Sequence, residues 1–264
     1  GDEEQCLDLA GEIRELGVSI SGMGIGEDWH DDFLDALATK TGGSSVYVAA
    51  PHTVNRFLQE RVRSLATACA ERARLITAPA TVARLNSVVR TSPDSMTLPF
   101  DSQPIPLGTI DGLAVTSLLF QFHVDTVDAE AGELFIGRVD VSGQVLGSRQ
   151  HTERVVNDLV IEVGDEEIEE EPPPEILDAL GNLMLYRLQD RAREALAEGD
   201  VEEATRKLEF LATRLFERGQ EALGQTALYE AQRVAHTQTL SGEGAKTLKY
   251  GTRALSQPQG DEND

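Results

Sequence analysis

The chain has 264 residues, 23 Lys and Arg against 46 Asp and Glu, and a formal net charge of −23. Hydrophobic residues make up 40% of it, enough to bury a core, while its longest apolar run, around Leu113–Phe122, falls far short of the roughly 20 residues of a membrane-spanning helix. The acid excess argues against sequence-independent binding to nucleic acid, whose affinity comes from Lys and Arg on phosphates, and two cysteines, Cys6 and Cys69, exclude a disulfide scaffold and point to a reducing, cytoplasmic setting.

The chain opens on Gly1-Asp2-Glu3-Glu4 rather than Met, and no signal peptide is visible. Leu7, Leu9, Ala10, Ile13 and Leu16 recur at helical spacing, and Gly17 ends the run. Val18–Gly26 reads as a buried strand leaving into a Gly-rich loop. Asp31 or Asp32 is placed to cap a second helix carrying Phe33, Leu34, Leu37 and Ala38, which Gly42-Gly43 stops. Ser45–Val48 is a short strand, and Val54, Phe57, Leu58, Val62, Leu65 and Ala66 form the stripe of a third helix. Helix, strand, helix, strand, helix predicts part of a doubly wound parallel sheet over residues 1–70.

Residues 71–163 lose the helical period. Arg74–Val82, Leu85–Val89, Ser117–Val124, Glu133–Val141 and Val155–Val163 read as strands of an antiparallel β-sandwich. Residues 164–174 form an acidic, Pro-rich linker. Residues 175–254 predict a helical bundle: Ile176–Ala197, Val201–Arg218 with Ala204, Leu208, Leu211, Ala212 and Leu215 inward, and Gln220–His236. Asp200 is the second helix's N-cap, with Glu203 three residues on, and Gly219 its C-terminal stop. The linker is expected to hold this bundle away from the β region, so that Leu208→Asp unfolds the bundle alone. A tail, 255–264, reads as disordered.

Three stretches, taken together, resemble a known family. Gly17–Ala38 followed by Gly42–Val48 resembles the second half of a bacterial von Willebrand factor type A (VWA) domain, in which a strand ends in Gly-x-Gly and Ser/Thr-Gly-Gly precedes the last strand. Ile105-Pro-Leu-Gly108 lies in a β-rich segment of the kind that follows such domains. Ala204–Leu215 with Gly244–Ala254 resembles the helical C-terminal region of the same architecture. The resemblance implies a multidomain α/β, β and α protein, truncated at its N-terminus. It also implies a metal-ion-dependent adhesion site holding Mg²⁺ or another divalent cation. The family's ligands are an Asp-x-Ser-x-Ser, a Thr and the Asp of an Asp-Gly turn. The first two are absent here, and the third would precede Gly1. No metal ligand carries over, and this chain alone is expected to need no cofactor.

Glu27, Asp28, Trp29, His30, Asp31 and Asp32 gather carboxylates, a His and the single Trp. With Asp2 and Glu3, the residues Glu27, Asp28 and Trp29 form a candidate partner-facing loop, which the resemblance puts on the adhesion-site edge of the sheet. The competing reading is a helix start whose acids complement the helix dipole while Trp29 packs on a neighbouring helix. A metal at Asp28, His30 and Asp32 would need ligands a helical turn apart, and these are nearly adjacent. Gly22, Gly24 and Gly26 miss the dinucleotide fingerprint, and Glu27 has the wrong charge for a phosphate. Glu166–Glu171 reads as solvated linker rather than a calcium site. No Gly-x-Ser-x-Gly elbow or close His pair offers a catalytic centre.

The sequence thus predicts a non-enzymatic protein-interaction protein of the VWA type, whose complete A domain grips a protein partner through a cation. The alternatives are a doubly wound nucleotide-dependent enzyme and a helical adaptor acting through 175–254. No nucleic acid or membrane span is expected. Association through an exposed edge of the 18–25 strand is expected.

Overall fold

The computed structural model describes residues 2–49, 53–125, 132–148, 152–164 and 171–255. The Glu166–Glu170 part of the acidic linker, His52, His151 and the tail from residue 256 lie outside them.

Helix α1 (Glu3–Glu15) starts where Asp2 accepts the Gln5 amide on its Oδ1 at 3.3 Å. Strand β1 covers Gly22–Ile25, shorter than the Val18–Gly26 expected. The preceding backbone is held instead by Thr41, whose Oγ1 accepts the Ile20 amide at 2.9 Å. Helix α2 (Asp31–Thr41) corrects the expected cap: His30 occupies the N-cap without a side-chain bond to the helix, and Asp31 and Asp32 fall in the first turn. Gly42 closes the helix in the left-handed region, φ 75°. Strand β2 (Ser45–Val48) runs parallel to β1, pairing Gly22 with Ser45 and Ile25 with Val48. The other edge of β1 has no partner strand among the described residues. Helix α3 (Thr53–Ala66) leaves Leu58, Val62 and Leu65 exposed.

Seven strands follow: β3 (Ala68–Pro79), β4 (Ala83–Ser92), β5 (Met96–Leu98), β6 (Ile105–Asp111), β7 (Ser117–Val124), β8 (Gly132–Val145) and β9 (Glu153–Val163). They form two antiparallel sheets, ordered β6-β3-β8-β9 and β5-β4-β7. Leu75 and Ile105 of the first sheet meet Val88 and Leu98 of the second in one core. The sequence pattern had shown five of these strands. It hid β5 and β6 because Pro93, Pro99, Pro104 and Pro106 break the alternation. Pro106 is tolerated because β6 is an edge strand with one side free of ladder bonds.

Helices α4 (Pro174–Ala197), α5 (Val201–Glu217), α6 (Glu221–Thr237) and α7 (Gly242–Ala254) complete the chain. All five expected inward residues of α5 are buried. Asp200 caps α5, its Oδ1 accepting the Glu203 amide at 2.9 Å, while the Glu203 carboxylate turns to Arg206 and Lys207 instead of back to the cap. Helix α7 was not distinct in the sequence, since Gly242, Gly244 and Gly251 depress helix propensity. Its start is built by tertiary contacts. The buried Glu230 of α6 accepts the Ser241 amide at 2.8 Å and its hydroxyl at 2.5 Å, and Ser241 Oγ accepts the Gly244 amide. A Cβ on Gly244 would collide with the Glu230 carboxylate.

The helical region is not held apart. Helix α7 lies against β2 and is joined to α2 through its side chains, and the Ser95 amide beside β5 donates to the Arg253 carbonyl at 3.1 Å. This corrects the independent placement expected from the linker. The β sheets and the α/β part also touch: Arg14 donates to the Pro104 carbonyl at 2.6 Å, and Arg90 to the Gly43 carbonyl at 3.3 Å. No described helix is long and apolar enough to cross a membrane.

Candidate functional site

The parallel register of β1 and β2 puts both carboxyl ends at one edge, where ligands of open α/β sheets generally bind. The loop Gly26–His30 leaves β1 there. Gly26 takes φ 71° to make the turn. Gly24 has a packing role: a Cβ there would collide with the Trp29 indole. The glycines of this stretch therefore seat a tryptophan, which accounts for their failure to match a phosphate-binding loop.

Trp29 Nε1 donates to the Gly26 carbonyl at 2.7 Å. Its ring lies 6.2 Å from Tyr47 of β2 and 5.7 Å from Tyr250 of α7, centroid to centroid, with the Lys246 ammonium 4.6 Å over its face. Lys246 also donates to the Glu27 carbonyl. Trp29 is thus packed on a helix, but on α7, more than 200 residues away in sequence.

Beside this aromatic group lies a cluster of charges, largely buried except for Asp32, whose side chain is 63% exposed. Lys246, Lys249, Tyr250 and Arg253 follow one face of α7 at helical spacing. Asp31, Asp32 and Asp35 answer from α2. Lys249 Nζ is 2.6, 2.8 and 2.7 Å from the three carboxylates in that order, with only 3% of its side chain exposed. Arg253 grips Asp35 with two parallel bonds of 2.8 Å. Tyr250 OH donates to Asp35 at 2.9 Å, as does the Ser45 hydroxyl of β2. From α4, Arg193 reaches Asp31 and Asp32 at 3.3 and 3.4 Å.

Burial pushes the Asp35 carboxyl upward, but the Arg253 and Lys249 hydrogen bonds and charges outweigh it and hold the group at about 2. Burial likewise opposes ionisation of Asp32, and Lys249 again wins, lowering it. Burial favours neutral Lys249, yet Asp35, Asp31 and Asp32 raise its pKa. Burial, then the Asp35 charge, raises Tyr250. A lysine held protonated by three carboxylates is a poor nucleophile or base. The arrangement is a clasp between α2 and α7.

The structure gives each of the five loop residues read from the sequence a place: Trp29 packs on α7 as described. Asp2 is engaged as a helix cap, and Glu3 accepts His30 Nδ1 at 2.7 Å, which raises the His30 pKa through its hydrogen bond and charge. The Glu27 side chain lies beside Gly242 of α7. Asp28 is exposed, as is the Glu27 carboxylate. Sequence reading missed Asp35, Lys249, Tyr250 and Arg253 as a set. The signal was present as an acidic stripe on α2 and a basic stripe on α7, but nothing local pairs them.

The acidic cluster does not fit the divalent cation that the fold family implies. Such an ion takes an oxygen-rich shell with no competing cation in it, and the carboxylates of Asp31, Asp32 and Asp35 are already paired with Lys249, Arg193 and Arg253. Among the described residues no group of three or more His, Cys, Asp and Glu is arranged to hold a metal.

These features define a VWA-like α/β fold with a C-terminal helical region, and the comparisons agree. Residues 174–258 match the Sll0103-like, C-terminal alpha-helical domain. The uncharacterised protein sll0103 of Synechocystis sp. is 26% identical over 149 residues, which cover 53% of this chain and 35% of the relative. The von Willebrand factor type A structure from Catenulispora acidiphila superposes with a TM-score of 0.65 at 17% identity, covering 89% of this chain and 58% of that one. Human COPII-coat protein Sec24c superposes at 0.52 with 13% identity, over 96% of this chain and 36% of that one. The chain thus spans about a third of its curated relative and little more than half of the Catenulispora structure.

Proposed function

We propose that this chain works without catalysis, as a protein-interaction module of the VWA class. The complete A domain grips a protein partner through a divalent cation, and the two antiparallel sheets, as a sandwich, and the helices, as a bundle, scaffold it. The observation that carries this reading is the superposition on a VWA structure across 89% of the chain, α/β part, sheets and helices together. The clasp adds support, since it fixes the carboxyl edge of β1 while leaving Glu27 and Asp28 exposed beside it. On this reading the ligand-bearing turns of the adhesion site are not among residues 1–264. The two free, exposed cysteines, Cys6 and Cys69, suit a reducing cytoplasm.

Two measurements test the reading. Titration calorimetry of the chain with Mg²⁺ should show no site tighter than about 100 µM, since a dedicated cage would reach the sensor range. Quantitative capture from the source cell's extract should retain a defined protein that E27K/D28K loses, without sensitivity to EDTA. A tight Mg²⁺ site, or capture identical for wild type and variant, would sink the assignment of this edge.

A further inference from the structure

We propose that the groove between α4 and α5 is a docking site for an acidic protein segment with apolar anchors, a second surface that does not depend on the carboxyl edge of β1. The groove encloses about 340 Å³. Its floor exposes Leu180 (47%), Met184 (41%) and, from α5, Phe210 (40%). Its rim is cationic: Arg187 and Arg191 from α4 and Lys207 from α5. No carboxylate lines it, in a chain whose net charge is −23. Lys207 is tied to Glu203 at 3.1 Å, but neither Arg187 nor Arg191 has an ion-pair partner among the described residues.

The order along α4 sets the occupant. Leu180, Met184, Arg187 and Arg191 follow one face at helical spacing, so the groove is apolar at one end and cationic at the other. Arg193, two residues on, points away to Asp31. Two guanidinium groups one turn apart, with an ammonium on the opposite wall, spread positive charge along the groove. A single anionic headgroup would be served by cations converging on one point. Carboxylates spaced along a peptide, after two apolar side chains, complement this pattern in both charge and length. An amphipathic helix laid in a groove is the recognition mode that fits.

The test uses the intact chain and fluorescence anisotropy. The probe is a labelled 15-residue synthetic helix former with leucines one turn apart and glutamates on its remaining polar positions. Its counterpart carries lysine for glutamate. The acidic peptide should bind with a Kd below about 100 µM at low salt and weaken at least about tenfold at high salt. The lysine peptide should not bind. R187E/R191E, both outside the buried core, should lose at least about tenfold in affinity with an unchanged circular dichroism spectrum, and M184A should weaken binding by removing floor area. E27K should leave binding unchanged, which separates this groove from the edge of β1. Equal binding of the two peptides, no binding of either, or wild-type affinity in R187E/R191E would overturn the proposal. Capture of phosphatidylglycerol vesicles without discrimination between the peptides would assign the groove to a membrane surface and overturn it as well.

Discussion

Asp35 is the residue on which the clasp turns. It accepts two bonds from Arg253, one each from Tyr250 and Ser45, and faces Lys249. Its carboxyl titrates at about 2, below the ordinary carboxylate value. A depressed carboxyl pKa contributes stability above the unfolded-state pKa, and that stability is lost as the pH falls through the folded value. The window is therefore about pH 4 down to about pH 2, and the contribution is on the order of 2 kcal/mol at neutral pH. D35N should abolish this part of the acid dependence. It should also lower stability by about 3–5 kcal/mol, because Arg253, 8% exposed, would keep a buried charge with no carboxylate. Denaturant melts of wild type and D35N at pH 7 and pH 3 check both statements. A variant as stable as wild type at pH 7 would remove Asp35 from the centre of the clasp.

At the scale of elements, α7 joins parts of the molecule that are distant in sequence. Its Leu248 is buried in the core of the helical region, while its charged stripe covers α2. Helix and partner meet at the single tryptophan, so Trp29 emission reports docking directly. K249E/R253E places two acids against three, and like charges at this spacing repel. The variant should shift Trp29 emission to the red as Lys246 and Tyr250 leave the indole. The helical content of α4–α6 should stay within error. An unshifted spectrum would show that α7 does not need its ion pairs to stay in place.

Across the whole molecule, the clasp, the Arg14 and Arg90 bridges and the Ser95–Arg253 bond tie the helices, sheets and α/β part together. Leu208, 1% exposed, lies in the helical core that also holds Leu248 of α7. L208D buries an unpaired carboxylate at a cost of several kcal/mol. The damage should spread through α7 to the α/β part, contrary to the expectation from the linker alone. Ellipticity and Trp29 emission should then change in one transition. Loss of helix with an unchanged Trp29 signal would restore the independent picture.

The sequence by itself determined the elements whose signals are local. Periodic apolar residues placed α1, α2, α4, α5 and α6 to within a few residues, alternation placed most of the long strands, and Gly42, Gly199, Asp200 and Gly219 marked the ends of helices. It also determined that Glu27, Asp28 and Trp29 share a loop after a strand. Proline and glycine hid the elements held by neighbours instead of their own propensity: β5 and β6 among four prolines, and α7 among three glycines, two of which lie against Glu230 and Leu223. Only the tertiary structure decided what the charges do. Asp31 and Asp32 read in sequence as the acidic start of a helix, and nothing local singled out Asp35, Lys246, Lys249 or Arg253. Lys249 with Asp31, and Arg253 with Asp35, became desolvated partners because folding brings positions some 218 residues apart to hydrogen-bonding distance. A charge is stabilised in a desolvated site only by its opposite, and a one-dimensional pattern does not record where that opposite will be.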